Sequence, residues 1–337
     1  MNKKYQVTGI GNAIIDILIL TKDNLLQEAG LVKNSMTLIG RQHAHQLLNS
    51  KYEKIRSGGS AANTIAALAD LKVKTAFIGK VGNGKYGKLF ADDLIKNNID
   101  FYCKNPSEYG STARSFVFIT PDGQRTMATY LGKASDVADE IEINKQVIAD
   151  SNILYLEGYL WDESNQKTVN ALKQAIKVAK DNNTKVAFTL SDSFCVARHK
   201  DSFLKLVDEI DILFANEAEI KSLITSEVID FNLIKQLAKN NKDLIIAITR
   251  SEKGALIFDG KKEGFCEVPT TAVQTLDVTG AGDCFAAGFL YGLIKQYNLE
   301  KSAQIGNLIA GTIIKKLGAR LNEQEVSDLT ENLKKIN

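Results

Sequence analysis

The sequence predicts an α/β fold with a mostly parallel central sheet, and three observations carry that expectation. From residue 73 onward short β-branched runs alternate with helical patterns, the order expected where helices cross between parallel strands. The strand candidates are Val73 to Ile78, Asn152 to Leu156, Lys185 to Leu190, Asp211 to Ala215 and Leu244 to Thr249. Between them Leu172, Ala175, Ile176 and Ala179 recur at helical spacing, and Leu233, Ile234, Leu237 and Ala238 form a second such stripe. Two stretches, Leu20 to Ile39 and Phe101 to Thr129, break the rhythm. Alternation runs through Ser115, Phe116, Val117, Phe118 and Ile119 into a turn at Pro121, Asp122 and Gly123. These stretches are read as one small β-rich subdomain built from two insertions, about 17–50 and 101–130, in a chain that is otherwise one domain over 1–337. No internal repeat, low-complexity segment or Pro/Gly/Ser-rich linker divides it.

At the N-terminus Lys3 and Lys4 precede an apolar run from Val7 to Leu20 that imitates a secretory signal. Asn12 and Asp16 interrupt the run, no small-residue cleavage site closes it, and it is too short for a bilayer, so a buried strand is expected. Across 337 residues, 42 Lys and Arg stand against 40 Asp and Glu, a net charge of +2. That balance supplies no basic field for nucleic acid or an anionic membrane. A hydrophobic share of 44% with 24% charged residues and 3 prolines excludes a disordered or collagenous chain. Cys103, Cys195, Cys266 and Cys284 form no CxxC pair, which argues against a zinc ribbon or disulfide framework and fits a reducing cytoplasm. His43, His45 and His199 have no metal-ligand spacing and are assigned no chemistry.

Three glycine-bearing segments invite nucleotide readings. Gly9 and Gly11 follow a strand, but the third glycine of a dinucleotide fingerprint falls at Ile14. Gly82 to Lys88 reads GNGKYGK and matches a Walker A loop up to its last position, where Leu89 offers no hydroxyl for magnesium. Both are read as packing or turn glycines. The third, Asp277 to Phe289, runs DVTGAGDCFAAGF: small residues lead into a helix with Phe285, Phe289 and Leu293 on one stripe. Backbone N–H groups of Gly280 to Asp283 would lie at a helix start, where amides lack intrahelical partners and the macrodipole favours an anion. Asp283 there is either an N-terminal Asp stabilising the dipole or a general base beside a phosphoryl group held by those amides. Cys284, next to it, is read as a small buried packing residue.

DVTGAGDCFAAGFL resembles the C-terminal signature of the ribokinase-like (PfkB) family of carbohydrate and nucleoside kinases. Gly58, Gly59, Ser60, Ala61, Ala62, Asn63 and Thr64 resemble its N-terminal signature, Gly11, Asn12 to Asp16 its first strand and substrate loop, and Asn216 to Glu219 its NxxE motif. Four motifs in the family's order span nearly the whole chain. Two positions depart from the pattern: Gly84 stands where an Asp is usual, and Ser251 replaces a glycine in the nucleotide loop from Thr249 to Gly254.

The resemblance implies a three-layer α/β/α sandwich with a small β-rich lid, and an enzyme that transfers the γ-phosphate of ATP to a primary hydroxyl. It implies Asp283 as catalytic base, an anion hole at Gly280, Ala281 and Gly282, and substrate hydroxyls held by Asn12, Asp16, Gly58, Gly59 and Asn63. Vicinal hydroxyls suit a carboxylate and carboxamides as acceptor and donors. Thr249, Gly254 and Asn307 are implied for the nucleotide, and Asn216 and Glu219 for magnesium, through water. Without the family, Glu217 and Glu219 are first-turn acids of a helix, and Asp16 is a strand-end carboxylate capping a turn. Arg125 resembles an arginine that reaches from the lid to the phosphates, and is otherwise a solvated hairpin charge. Phe116, Phe118, Phe101 and Tyr102 either stack on a flat base or form the lid's own core.

GGSAANT, Gln124 to Met127 with Leu131 and Gly132, and Tyr155 to Asp162 (YLEGYLWD) resemble the bacterial adenosine-kinase-like branch. The expected acceptor is therefore the 5′-hydroxyl of adenosine or a related nucleoside, with ribose or fructose as the alternative. A non-catalytic nucleoside- or sugar-binding protein and an NAD-dependent oxidoreductase are the competing classes. A monovalent cation beside the anion hole is left open, as is a monomer against a homodimer formed through the lid. No nucleic-acid or membrane partner is expected.

Overall fold

In the computed structural model residues 3–33, 35–103, 106, 110–122, 124–161 and 165–336 are described, with side chains as far as 333. Gly123 of the expected turn and Asp162 of the YLEGYLWD segment lie outside the described residues. In chain order the strands are β1 (Tyr5–Ile10), β2 (Ile14–Leu20), β3 (Met36–Leu38), β4 (Lys54–Gly58), β5 (Thr75–Ile78), β6 (Ile99–Tyr102) and β7 (Ala113–Ile119). They continue with β8 (Arg125–Tyr130), β9 (Ser151–Glu157), β10 (Lys185–Thr189), β11 (Ile212–Asn216), β12 (Ile245–Thr249), β13 (Ala255–Asp259) and β14 (Gly264–Val268).

The larger sheet runs β14-β13-β12-β11-β10-β9-β1-β5-β6, parallel from β12 to β6 and closed at one edge by the antiparallel β13 and β14. A parallel sheet must be covered on both faces, and successive side chains alternate between them. Ile153 and Tyr155 of β9 accordingly join one apolar cluster with Phe77, Phe285 and Phe289, whereas Leu154 and Leu156 join another with Phe188 and Phe203. The first face carries the helices Ser60–Asp70, Ala281–Ile294 and Leu299–Ile313, and the second carries Gln166–Asp181, Ser193–Leu206 and Glu217–Ile224. The result is a three-layer α/β/α sandwich. The helix Ala281–Ile294 is buried nearly all round, from Cys284 to Leu290, which is wider than the single Phe285–Phe289–Leu293 stripe read from the sequence. No helix among the described residues is long and apolar enough to cross a membrane.

A second sheet, ordered β3-β8-β7-β2-β4, faces the ends of β9 and β11 across a shared cavity. Its composition corrects three expectations. The apolar run from Val7 to Leu20 is two strands in different sheets, because the chain turns at Gly11 and Asn12: Asn12 is drawn inward by the buried Glu157, and a Cβ on Gly11 would lie 2.6 Å from that of Ala61. Phe101 and Tyr102 belong to the large sheet, where Phe101 packs on Phe77 and Phe90 and Tyr102 on Tyr5. The small sheet instead takes in Ile14 at its start and Lys54–Gly58, beyond the expected 17–50. Phe116 and Phe118 are buried in the apolar cluster under this sheet and do not line the cavity beside it.

Candidate active site

The chain starts in the middle of the large sheet at β1, proceeds to β5 on one side and later to β9 on the other. Ligands of open α/β sheets bind where the strand order reverses, beyond the carboxyl ends of the strands. A cavity of about 1140 Å³ lies there, walled by the small sheet, by Asn12 after β1, by Glu157 at the end of β9 and by Asn216 at the end of β11.

Glu157 ties the wall together. Its Oε1 accepts from the backbone N–H of Asn12 at 2.8 Å and from Asn12 Nδ2 at 2.7 Å, and its Oε2 accepts from the N–H of Ala61 at 2.7 Å. Burial pushes its carboxyl up to about 7 against those donors. Asn12 donates from its NH₂ to Glu157, and its Oδ1 is buried without a hydrogen-bond partner among the described residues, an acceptor left for a hydroxyl in the cavity.

Asp16 stands on β2, with Gly58 behind it: a Cβ on Gly58 would lie 2.2 Å from the Asp16 carboxylate. Gly59 has φ +95, and a Cβ there would meet the Asn12 carbonyl at 2.3 Å, so both glycines are fixed by what they adjoin. Burial lifts Asp16 to about 6, opposed by Arg320, Arg56 and Arg125.

The helix Ala281–Ile294 starts from Gly280 at φ +77, held against Ala319. Of the expected anion hole, the Ala281 N–H is committed to the Val278 carbonyl at 3.1 Å, a correction that follows from the tight turn before the helix. Gly282 and Asp283 line the cavity, and a Cβ on Gly282 would meet nothing within 4 Å, so its backbone can be approached. The half-buried Asp283 accepts from Ser60 Oγ at 2.7 Å and from Asn63 Nδ2 at 3.0 Å. Burial raises its carboxyl to about 6 against those two donors and the positive Arg320. Cys284 behind it is fully buried, and burial pushes its thiol up, as a packing residue requires.

Arg125 is no solvated hairpin charge. It leaves β8, pairs with the buried Asp277 and donates to Thr279 Oγ1 at 2.7 Å, joining the small sheet to the loop that leads into the Asp283 helix. Asp277 also accepts from the N–H of Thr279 at 2.9 Å and from that of Gly318.

Asn216 and Glu219 form a capping box at the start of the helix Glu217–Ile224, as first-turn residues do. Glu219 accepts from the Asn216 N–H at 3.0 Å and from Nδ2 at 2.6 Å, and its own N–H donates to Asn216 Oδ1 at 2.8 Å. Burial lifts it to about 7 against those bonds. Both residues line the cavity, and no group of three or more His, Cys, Asp or Glu among the described residues could hold a metal by itself.

The cavity wall therefore unites Asn12, Asp16, Gly59, Asn63, Arg125, Asn216, Glu219, Gly280, Gly282 and Asp283, while Thr249, Gly254 and Asn307 lie outside it. Thr249 is the cross-strand partner of Asn216, and Asn307 Nδ2 donates to the Val268 carbonyl at 3.1 Å. Ser251 has φ +52, the left-handed conformation a glycine adopts freely, so the turn keeps its shape without the glycine. Sequence reasoning missed the role of Glu157 and the lining residues Tyr159, Arg198 and His199.

A half-buried carboxylate beside a helix start with approachable amides, under a sheet clamped down by an arginine, suits phosphoryl transfer to a hydroxyl, and the protein is a phosphotransferase with an alcohol acceptor. It belongs to the pfkB family of carbohydrate kinases, whose model matches residues 30–325. Among solved structures it is similar to the adenosine kinase of Sinorhizobium meliloti, with 36% identity and a TM-score of 0.88 over 98% of this chain and 99% of that one. A probable sugar kinase protein from Rhizobium etli CFN 42 is 35% identical, with the same TM-score and the same coverage of both chains. Probable fructokinase-5 of Arabidopsis thaliana is 28% identical over 71% of this chain and 74% of its own length.

Proposed function

We propose that the protein transfers the γ-phosphate of ATP, with Mg²⁺, to the 5′-hydroxyl of adenosine or a related nucleoside. The observation that carries this reading is Asp283, held by Ser60 and Asn63 on the cavity wall one residue from the approachable backbone of Gly282. Asp283 takes the hydroxyl proton as the oxygen attacks phosphorus, and the Gly282 and Asp283 amides face the charge of the moving phosphoryl group.

Asn12 Oδ1, Asp16 and Asn63 suit the vicinal hydroxyls of a ribose. The cavity continues onto an apolar wall of the small sheet, Ile14, Met36, Leu38, Met127 and the adjoining Leu131, which a free sugar leaves uncovered and a flat purine covers. That wall and the likeness to the Sinorhizobium meliloti adenosine kinase favour the nucleoside. Glu219 and Asn216 supply the hard oxygen donors that a hydrated Mg²⁺ accepts through water, where the ion would neutralise phosphate charge. ATP laid across the ends of β11 and β12 reaches Thr249 next to Asn216, with Gly254 and Asn307 farther along the same edge. Arg125, by drawing the small sheet onto the Asp277–Thr279 loop, keeps water from competing with the acceptor.

Coupled ADP release with ATP and Mg²⁺ across adenosine, inosine, guanosine, ribose and fructose tests the reading. Fast turnover on adenosine is expected. Turnover on ribose or fructose alone moves the protein to the sugar branch, and silence on all five favours a non-catalytic binder.

A further inference from the structure

Arg320 lies in the segment between the helices Leu299–Ile313 and Glu323–Ile336 and does not line the cavity. It borders a separate cleft with Asp70, Asp93 and Lys96. Its Nε donates to Asn63 Oδ1 at 3.0 Å, whereas Nη1 and Nη2 are buried without a hydrogen-bond partner among the described residues. Burying a cation with empty donors is costly, and a guanidinium serving stability would close on one of the nearby carboxylates. The bond it makes goes instead to the amide that holds Asp283.

Chemistry then dictates the orientation of that amide. A guanidinium only donates, so it fixes the oxygen of Asn63 toward itself, and the NH₂ of Asn63 must face Asp283 Oδ2, 3.0 Å away. A donor at that place favours the ionised carboxylate, and a flipped amide would present an acceptor and favour the protonated acid.

We propose that Arg320 is a positioning residue for Asp283, locking the Asn63 amide so that the neighbouring carboxylate stays in its proton-accepting form. Its consequence for turnover rests on the reading of Asp283 as the base, but its effect on the ionisation of Asp283 does not.

The other groups around Asp283 are acidic or neutral: Asp16 on β2, Tyr155 and Glu157 on β9, Glu219 on its helix and Cys284 on the same helix as Asp283. Arg56 and Arg125 act on Asp16. Around Arg320 stand Asp70, Asp93, Asp16 and Asp283, with Lys96 in the cleft and Lys316 near Asp70. Arg320 is thus the positive neighbour of Asp283 itself.

The test is a ¹³C titration of ligand-free protein labelled at aspartate Cγ, with the Asp283 resonance assigned by its loss in Asp283→Asn. Arg320→Met is expected to raise the Asp283 midpoint by about one pH unit, a tenfold loss of carboxylate below it. Arg320→Lys keeps the charge without the planar Nε–H and is expected to raise the midpoint by less. In an Asn63→Ala background the shift from Arg320→Met should fall below half. An unmoved midpoint, or an undiminished shift in the Asn63→Ala background, overturns the proposal. Should Arg320→Met fail to fold, Asn63→Ala and Asn63→Ala/Arg320→Lys retain the buried charge, and the double variant is expected to go no further than Asn63→Ala. The acid limb of kcat/KM should follow the midpoint. A moved midpoint with an unmoved limb would leave the positioning role standing and retire Asp283 as the base.

Discussion

Two helix starts meet in the same cavity, each with a carboxylate in its first turn, and they use it in opposite ways. Glu219 turns both oxygens back onto its own N-cap, Asn216, and so satisfies the helix that bears it. Asp283 makes no such cap. Its helix begins on Gly280, and its oxygens take donors from another helix through Ser60 and Asn63. The first arrangement consumes the acid locally, and the second leaves both the helix amides and the carboxylate available to a ligand. Position in the sequence does not separate the two. What separates them is which residues supply the hydrogen-bond donors.

Neutralising each acid gives the largest contrast. Asp283→Asn is expected to cut kcat by about 10²- to 10⁴-fold, about 3 to 5 kcal/mol of barrier, with circular dichroism unchanged. Glu219→Gln keeps an acceptor for the cap, so kcat should fall far less, while the proposed role of this acid beside hydrated Mg²⁺ predicts a severalfold rise in KM for Mg-ATP. Equal losses from the two changes would erase the distinction.

A smaller effect concerns pH and stability. The Asp283 carboxyl is lifted to about 6 in the fold, above its unfolded value near 3.9, so the native state binds the extra proton between those values and stability falls as pH rises through them. The loss is on the order of 3 kcal/mol, complete near neutrality. The melting temperature of Asp283→Asn relative to the parent should therefore be several degrees higher at pH 7.5 than at pH 4.5. A difference independent of pH would show that Asp283 carries no such burden.

Smallest is the backbone. Gly280→Ala places a Cβ 2.5 Å from that of Ala319 at φ +77, a conformation that costs about 1 to 2 kcal/mol before any steric clash. Thermal melting should register that loss, and turnover should drop with it because the helix start shifts. The same change at Gly282, where an added Cβ would meet nothing within 4 Å among the described residues outside its own helix, should spare stability and impair only turnover.

Much of this was legible in the sequence wherever chemistry is local. The strand-and-helix alternation, the glycine-rich start of the Asp283 helix and the Gly58–Asn63 segment all announce themselves within a few residues. Glu157 does not: its partners Asn12 and Ala61 are 145 and 96 residues away, and beside it Tyr155, Leu156, Leu160 and Trp161 serve the core. Phe101 and Tyr102 read as lid aromatics because a four-residue edge strand has too short a period to declare its sheet. The clamp made by Arg125 needs Asp277, on the far side of the cavity loop, before it can be recognised.

The bonds that hold Asp283 in place span 223 residues to Ser60 and 220 to Asn63, and Arg320 reaches Asn63 across 257. At a synthesis rate of about 5 to 20 residues per second, the helix Ser60–Asp70 leaves the ribosome on the order of ten to forty seconds before its partner exists. That helix is buried from Ala61 to Ala69 in the finished fold, where it packs on β1 and β5 as well as on the helix Ala281–Ile294, so the face that meets the later helix waits uncovered through that interval. A truncated product lacking the last sixty residues would leave that face of the helix permanently exposed.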